Sequence, residues 1–534
     1  MLDNGARSRR FWCSPEAHYL PSPPLAEPSF PWRAFPEGRA TMAKVLKRPS
    51  HSLREFRILP GYTPPDGNAL NVELTTRLCR KGSDFLRLQT PFLTAAMQAV
   101  TGTEMAIAIA QLGGIGILPV SQTIEEQSEK IGRVKRFKAG FQTNITTLSP
   151  RHTISDIISI INEMGYTTFP VTDSGDFHGK LLGVITDKDF DVRRDHALTV
   201  EDRMRTDVQY GVNISDLKEA NQLMIKFGRG FLPIVDEDGM LQTAVFKKDL
   251  DKHLQHPNES IDEKKRLLVG AAVSTHPEDR ERVQCLVEHE VDVLLIDASD
   301  GHTQYQRQMV EWIKSTYEVP VVAGNVVTAR GFEFLVEAGA DGVKVGMGIG
   351  SGCTTQEVKA TGRGQGSTLL DIIPVRDAHA ESTGQYIPVI ADGGISGPAD
   401  MSVALALGAD ALMMGNFFAR YTESAGNLMR NAAGEIVKEY WMEGSTKARN
   451  HRRYSQLKDL FFEEGITGYV PHLGSVSEKL PVILQILRST LATAGCRSID
   501  ELHEKAVLEM QSPSALRDSD VHDMVAANID QQIL

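Results

Sequence analysis

Eight short apolar runs, many ending in Gly, Asp, Asn or Ala, recur along the chain with helical patterns between them. This recurrence limits the possible fold more than any other feature. The runs are "PFLTAAM" (91–97), "GGIGILPV" (113–120), "RLLVGAAV" (266–273), "VDVLLIDAS" (291–299), "VPVVAGNV" (319–326), "DGVKVGM" (341–347), "YIPVIADGG" (386–394) and "ADALMMGN" (409–416). A strand that is apolar throughout, rather than at alternate positions, is buried on both faces, as in a parallel sheet covered by its crossover helices. The last six runs are spaced at about the length of one βα unit, and eight such units predict a (β/α)8 TIM barrel of the α/β class. A doubly wound open sheet is the alternative, but no G-x-G-x-x-G opens the first unit.

At 534 residues the chain exceeds one ordinary domain. Its formal charge of −12 argues against a general nucleic-acid or membrane-surface binder. No apolar run approaches the roughly 18–20 residues that span a bilayer. The five cysteines (Cys13, Cys79, Cys285, Cys353 and Cys496) are odd in number and lack paired spacing. They point to a reducing, cytoplasmic setting without a disulfide framework or a zinc motif. Residues 1–41 are Pro-rich and aperiodic, with no apolar h-region behind Arg9 and Arg10. They read as a disordered extension or a mis-assigned translation start, with Met42 as the alternative start.

Two interruptions break the strand–helix rhythm. Between the second and third runs lies an internal repeat. "TISDIISIINEMGYTTFPVTDSGDFHGKLLGVITDKDF" returns as "NISDLKEANQLMIKFGRGFLPIVDEDGMLQTAVFKKDL". Each copy reads as a helix, an apolar strand, an acidic turn, a second strand and a final Asp (Asp189, Asp249). The pattern resembles a pair of CBS modules, which often bind adenine or guanine nucleotides. The hydroxyl-x-x-Asp signature of such modules is intact in the first copy (Thr186, Asp189), whereas Phe246 replaces the hydroxyl in the second. A purely structural insertion is the other reading. The second interruption follows the eighth run, where about sixty residues precede the helix "SEKLPVILQILRSTLATAG". A connection that long is usually a lid or another functional loop, and it leaves the barrel face on which active sites are built.

Chemistry concentrates on that face. "ADGG" (391–394) and "MGN" (414–416) end the seventh and eighth strands, where barrel loops commonly hold phosphate because glycine lets backbone N–H groups approach the anion. Simple strand-end turns would use the same glycines. Asp392 is placed to accept hydrogen bonds from ribose hydroxyls. Cys353 follows the sixth strand, in a loop with Gly346, Gly348, Gly350 and Gly352, beside Ser351, Thr354 and Thr355. A buried structural thiol normally has apolar neighbours, while a thiolate among donors can attack an electrophilic carbon and later leave. Composition alone leaves both roles open.

"GSGCTTQEVKATGRGQ", "ADGGI", "IDASDGH", "AGNVVT" and "EYWMEGSTKARNHRRY" together resemble the IMP dehydrogenase/GMP reductase family, from about Ser52 to the C-terminus. The resemblance implies a barrel in two parts, 42–139 and 256–534, around a tandem CBS regulatory insertion at 140–255, with a mobile lid over about 421–475. It implies an IMP dehydrogenase activity. Cys353 attacks C2 of the purine of IMP, hydride passes to NAD, and the thioimidate is hydrolysed to XMP. Arg453 and Tyr454 match the family's Arg–Tyr pair, with the arginine as base for the water. Arginine is a base only where its cation is strongly disfavoured, which leaves room for a proton relay. Thr355 matches the threonine beside that water and Glu464 a relay position.

The resemblance also implies the binding contacts. Ser351, Gly393, Gly394, Gly415, Asn416 and Tyr440 match the phosphate site, Asp392 the ribose contact, and Met97, Glu443, Gly444 and Ser445 the purine contacts. For NAD, Asp297 matches the contact to the nicotinamide ribose, Ser299, Asn325, Gly346 and Gly348 lie near the nicotinamide end, and His276 and Tyr305 are positioned to sandwich the adenine. Carbonyl groups of Gly348, Gly350 and Cys353 match a potassium site. Further implications are a cytoplasmic homotetramer with a nucleotide at the CBS pair, and no membrane or specific nucleic-acid partner. Three positions depart from the pattern. Gly352 replaces the usual Ile and predicts a looser thiol loop, Ala298 replaces a serine, and Asn416 stands where Gly or Arg is common. GMP reductase is the nearest rival activity, but it has no need of the hydrolytic pair in "RNHRRY". A nucleotide-sensing protein with an inert barrel is the other.

Overall fold

The computed structural model describes residues 43, 45–65, 67–137, 142, 145–164, 167–214, 217–247, 256–449 and 463–519. Residues 1–49 form one unit and residues 50–534 the other. Of the first, residues 43 and 45–49 are described, and they carry no helix or strand. The predicted extension, 1–41, lies outside the described residues.

In the second unit every predicted run contains a strand. These are β1 (Phe92–Thr94), β2 (Ile115–Leu118), β3 (Val269–Val273), β4 (Val293–Asp297), β5 (Val321–Val326), β6 (Gly342–Val345), β7 (Val389–Asp392) and β8 (Ala411–Met414). They form a closed parallel barrel, sealed where Leu412, Met413 and Met414 of β8 pair with Phe92, Leu93 and Thr94 of β1. Closure rules out the open doubly wound sheet. The two-faced burial expected of the runs is literal. Val269, Ala271 and Val273 of β3 join the layer under the helices, whereas Ala272 joins the barrel interior with Val293, Leu295, Val322, Ile390, Ala411 and Met413.

An antiparallel hairpin, Thr76–Lys81 with Asp84–Leu88, packs Leu78, Cys79, Leu86 and Leu88 into the interior core. It is tied to the strand starts by Arg80 N donating to Asp341 O at 2.8 Å and Thr76 Oγ1 to Asp410 O at 2.6 Å. It therefore stoppers the N-terminal end of the barrel and leaves the C-terminal end for chemistry.

Each copy of the inserted repeat has a helix (Ile154–Met164; Leu217–Phe227) followed by an antiparallel strand pair (Thr168–Thr172 with Leu181–Thr186; Phe231–Val235 with Leu241–Phe246). Each has a small core of its own, around Phe169 and Ile185 in the first and around Leu232 and Val245 in the second. Gln142 bridges to Ala244, so the insertion is entered and left side by side. After β8 the chain builds a three-stranded antiparallel sheet from Leu428–Arg430, Ile436–Trp441 and Thr467–Pro471. The long connection read as a lid thus carries regular structure at both ends, with residues 450–462 outside the described residues.

Candidate active site

A cavity of about 470 Å³ opens at the C-terminal end of the barrel. Its floor is set by strand ends, its walls by the loops after β6, β7 and β8, and its roof by the sheet that follows β8. Cys353 lies in the wall after β6. The loop is fastened from above, since Ile466 N donates to Gly352 O at 3.1 Å and Cys353 bridges to Gly465. From the sequence, Gly352 predicts a looser loop here. The structure shows a different outcome, because a Cβ at Gly352 would lie 3.0 Å from Cγ and Sδ of Met442. The Met442 side chain fills the space that a larger residue at 352 would take, and the loop stays packed.

The thiol heads a hydrogen-bond chain. Cys353 Sγ donates to Thr355 Oγ1 at 3.1 Å, Thr355 Oγ1 donates to Glu464 Oε2 at 3.2 Å, and Lys359 Nζ stands 3.3 Å from Glu464 Oε1. A proton can leave the thiol through a hydroxyl that passes its own proton to a carboxylate. Such a chain is an arrangement that can activate a nucleophile.

The glycine loops after β7 and β8 line the same cavity. Gly393 and Gly394 have φ of +87° and +72°, the left-handed region that glycine adopts without strain. A Cβ at Gly415 would lie 2.9 Å from Met97 Sδ and 3.1 Å from Tyr440 Oη, inside the space a ligand would use. Ser351 and Asn416 complete this end of the lining. Burial foremost, with the charge of Asp392 nearby, pushes the Tyr440 phenol up to about 12, while a hydrogen bond with Ser351 pulls the other way. The phenol stays neutral and able to donate at physiological pH.

On the floor, Asp297 ends β4 and Asp392 ends β7. Between them stands Lys344 of β6, its Nζ 2.5 Å from Asp392 Oδ2, 3.7 Å from Asp297 Oδ1 and also bonded to Asn325 Oδ1. Asn325 Nδ2 donates to Asp392 Oδ2 at 3.0 Å and to Gly346 O at 2.7 Å. Ser299, Gly346, Gly348 and Gly350 also line the cavity. Under the roof, Glu443 accepts from Gln98 N at 2.6 Å and from Ser121 Oγ, which joins the post-β8 sheet to the loops after β1 and β2. Gly444 lies beside it.

Of the residues singled out in the sequence, most converge on this one cavity. Ser445 does not line it, being buried with its Oγ donating to Met442 O at 2.7 Å. His276 and Tyr305 are exposed and stand outside its lining. Arg453 and Tyr454 lie outside the described residues. Two charged residues of the lining, Lys344 and Arg54, lie outside the sequence expectation. Lys344 had a visible signal, a lysine in the middle of an apolar strand run. Arg54, which also lines the cavity, had none, since it precedes the first barrel strand by almost forty residues.

The family model for the IMP dehydrogenase / GMP reductase domain matches residues 50–522. The chain belongs to this family. Among IMP dehydrogenase/GMP reductase relatives, the inosine-5'-monophosphate dehydrogenase of Tritrichomonas foetus is 39% identical over 494 residues, 91% of this chain and 98% of the relative. That of Schizosaccharomyces pombe is 37% identical, over 88% of this chain and 91% of the relative. Among solved structures, a cysteine-to-alanine variant of GMP reductase from Trypanosoma brucei, in complex with guanosine 5'-monophosphate, superposes with a TM-score of 0.80. It is 31% identical over 90% of this chain and 98% of that one.

Proposed function

We propose that this protein is an NAD-dependent IMP dehydrogenase that oxidises IMP to XMP through a covalent adduct on Cys353. The observation that carries the reading is the Cys353–Thr355–Glu464 chain lining one cavity with Gly393, Gly394, Gly415 and the carboxylate of Asp392. The assignment as dehydrogenase rather than reductase is supported by the 39% and 37% identical relatives and by "RNHRRY", whose Arg453 and Tyr454 serve only a hydrolytic step.

In this reading the purine lies between Met97 and the thiol, the ribose binds Asp392, and the phosphate is received by backbone N–H groups of Gly393, Gly394 and Gly415 together with Ser351, Asn416 and Tyr440. The thiol loses its proton through Thr355 towards Glu464, and sulfur bonds to C2. Hydride leaves that carbon for NAD, which supplies the electron acceptor. Asp297, Ser299, Asn325, Gly346 and Gly348 orient the nicotinamide ribose end, and the rings of His276 and Tyr305 are exposed enough to stack on adenine. Water then attacks C2, its proton is taken by Arg453 with Tyr454 or relayed through Thr355 and Glu464, and the C2–S bond breaks to return the thiol. Glu443 and Gly444 hold the purine edge, and buried Ser445 supports that turn.

A monovalent cation, potassium, fits the carbonyl groups of Gly348, Gly350 and Cys353. The first two already accept from Gln356 Nε2 at 2.8 Å and Cys353 N at 3.0 Å, and each keeps a second lone pair. An ion there would stiffen the thiol loop.

The insertion is proposed as a tandem CBS regulatory pair. A cleft of about 650 Å³ between its copies is lined by Thr186, Lys188, Arg205, Arg229, Phe231 and Phe246, a combination of cations and rings suited to a purine nucleotide. Thr186 N and Oγ1 both donate to Asp189 Oδ2, at 2.7 and 2.8 Å, a pairing that supports this reading of the first copy. A homotetramer in the cytoplasm completes the proposal; among the described residues no helix is long and apolar enough to cross a membrane.

The test is absorbance at the NADH band after mixing the protein with IMP, NAD and potassium, beside a second cuvette holding GMP and NADPH. NADH formation in the first alone is the expected result. NADPH consumption with release of ammonia in the second would make the protein a GMP reductase.

A further inference from the structure

The cavity is poor in positive charge for a site that must hold a phosphate dianion. Among its described lining residues, Asp297, Asp392, Glu443 and Glu464 are acidic, and the cations are Lys344 and Arg54. Lys344 is committed to the floor carboxylates, 2.5 Å from Asp392 and 3.7 Å from Asp297. Glycine N–H groups and hydroxyls supply dipoles but no net charge. Even with Lys359 counted beside Glu464, a ligand with two negative charges would enter a site whose acids outnumber its cations.

Arg54 is placed to correct this balance. It sits on the single-turn helix Leu53–Glu55, closed by Ser52 and Glu55 in a capping box. Leu53 and Phe56 on either side are buried, at 1% and 3% exposure, so the turn is anchored while Arg54 itself is exposed at the cavity wall. Arg54 Nη2 donates to Ser396 Oγ at 3.1 Å. Ser396 follows Gly393 and Gly394 in the loop after β7, and its Oγ donates in turn to Asp400 Oδ2 at 2.6 Å. One hydrogen bond to a hydroxyl therefore steers the guanidinium to the glycine end of the cavity, and among the described residues no carboxylate pairs with it. A guanidinium so held keeps further N–H groups for two oxygens of one phosphate, the geometry its planar fork favours.

We infer that Arg54 is the cationic clamp for the substrate's 5'-phosphate, closing the glycine cradle from a segment that precedes the barrel. The inference rests on the reading of this cavity as the IMP site. It makes Arg54 a binding residue that selects nucleotide over nucleoside.

Calorimetry on the full chain with IMP and with inosine, which shares purine and ribose but lacks the phosphate, tests it. Arg54→Gln should weaken IMP roughly tenfold to a hundredfold, the range of a hydrogen bond to a charged group, and leave inosine unchanged. Arg54→Lys should fall between, keeping the charge without the fork. The same loss should appear in the KM for IMP. Equal weakening of IMP and inosine, or no weakening of either, would overturn the clamp while wild-type NADH formation left the proposed function standing. A wild-type protein that neither bound IMP nor formed NADH would overturn the functional reading itself.

Discussion

The two rims of the barrel use aspartate for opposite ends. At the N-terminal rim, Asp292, Asp341 and Asp410 each precede a strand (β4, β6 and β8) and each accepts from the first N–H of the strand before it. The donors are Val269, Val321 and Val389, all at 2.8 Å. Each acid also has a cation beside it, Lys135 at 2.6 Å, Lys314 at 2.7 Å and Arg376 at 3.3 Å, although Lys135 also pairs with Asp262 and Arg376 with Asp377. At the C-terminal rim, Asp297 and Asp392 end their strands, share Lys344 and line the cavity. An acid that accepts from the neighbouring strand's N–H, with a cation beside it, makes a clamp. Two acids that share Lys344 and face a cavity make a binding floor. The difference assigns stability to the lower rim and chemistry to the upper, as barrels generally divide them.

Substitutions that separate the rims give the sharpest tests. Thr355→Val removes the hydroxyl between Cys353 and Glu464 at nearly constant shape. It should lower kcat by roughly 10²- to 10⁴-fold, the usual contribution of positioned proton transfer, without moving the melting temperature. Steady-state kinetics beside a thermal melt checks both halves, and a retained kcat would show that the relay is not used. Arg376→Leu strips the buried cation from Asp410, whose side chain is 1% exposed. Removing one partner of a buried pair should cost about 3–5 kcal/mol, read as a lower urea midpoint, with kcat of the folded enzyme intact. Loss of kcat at unchanged stability would erase the division between rims.

The smallest effect is a pH dependence beside the lower rim. Hydrogen bonding from Arg266, assisted by Lys264, holds the Glu290 carboxyl at about 2, against an ordinary 4.5. A carboxyl depressed by folding adds stability that is fully present above pH 4.5 and is lost as pH falls from there through about 2. Its side chain is 48% exposed, so solvent screening keeps the contribution below about 1 kcal/mol. Glu290→Gln should therefore lower the urea midpoint slightly at pH 7, and the two curves should converge as pH falls towards 3. A gap that widened on acidification would reverse the sign.

The barrel was legible because its strands are apolar throughout and end in small or acidic residues, a pattern that needs no long-range information. The hairpin 76–88 was not, because "TRLCRK" and "DFLRL" intersperse charged and apolar residues, and only its packing against Leu93 and Ile390 reveals a stopper. The repeat announced its helix–strand–turn–strand order, yet nothing in it told that the cleft would form between the copies. At the site, Cys353 and the glycine loops stood out in the chain, while their roles came from family resemblance. Lys344 and Arg54 acquire meaning only when β6 is set between β4 and β7, and when a distant turn reaches the loop after β7. Met442 compensating Gly352 is of the same kind, a partnership across ninety residues that spacing does not encode.

The most direct test of the upper-rim chemistry is peptide mass spectrometry after an acid quench of the Arg453→Ala variant, mixed with IMP and NAD. That variant should complete hydride transfer and stall before hydrolysis, giving one NADH per site and a purine nucleotide bound covalently to the peptide carrying Cys353. Cys353→Ser should give neither. NADH formed at an undiminished rate by Cys353→Ser, or an adduct on another residue, would contradict the account.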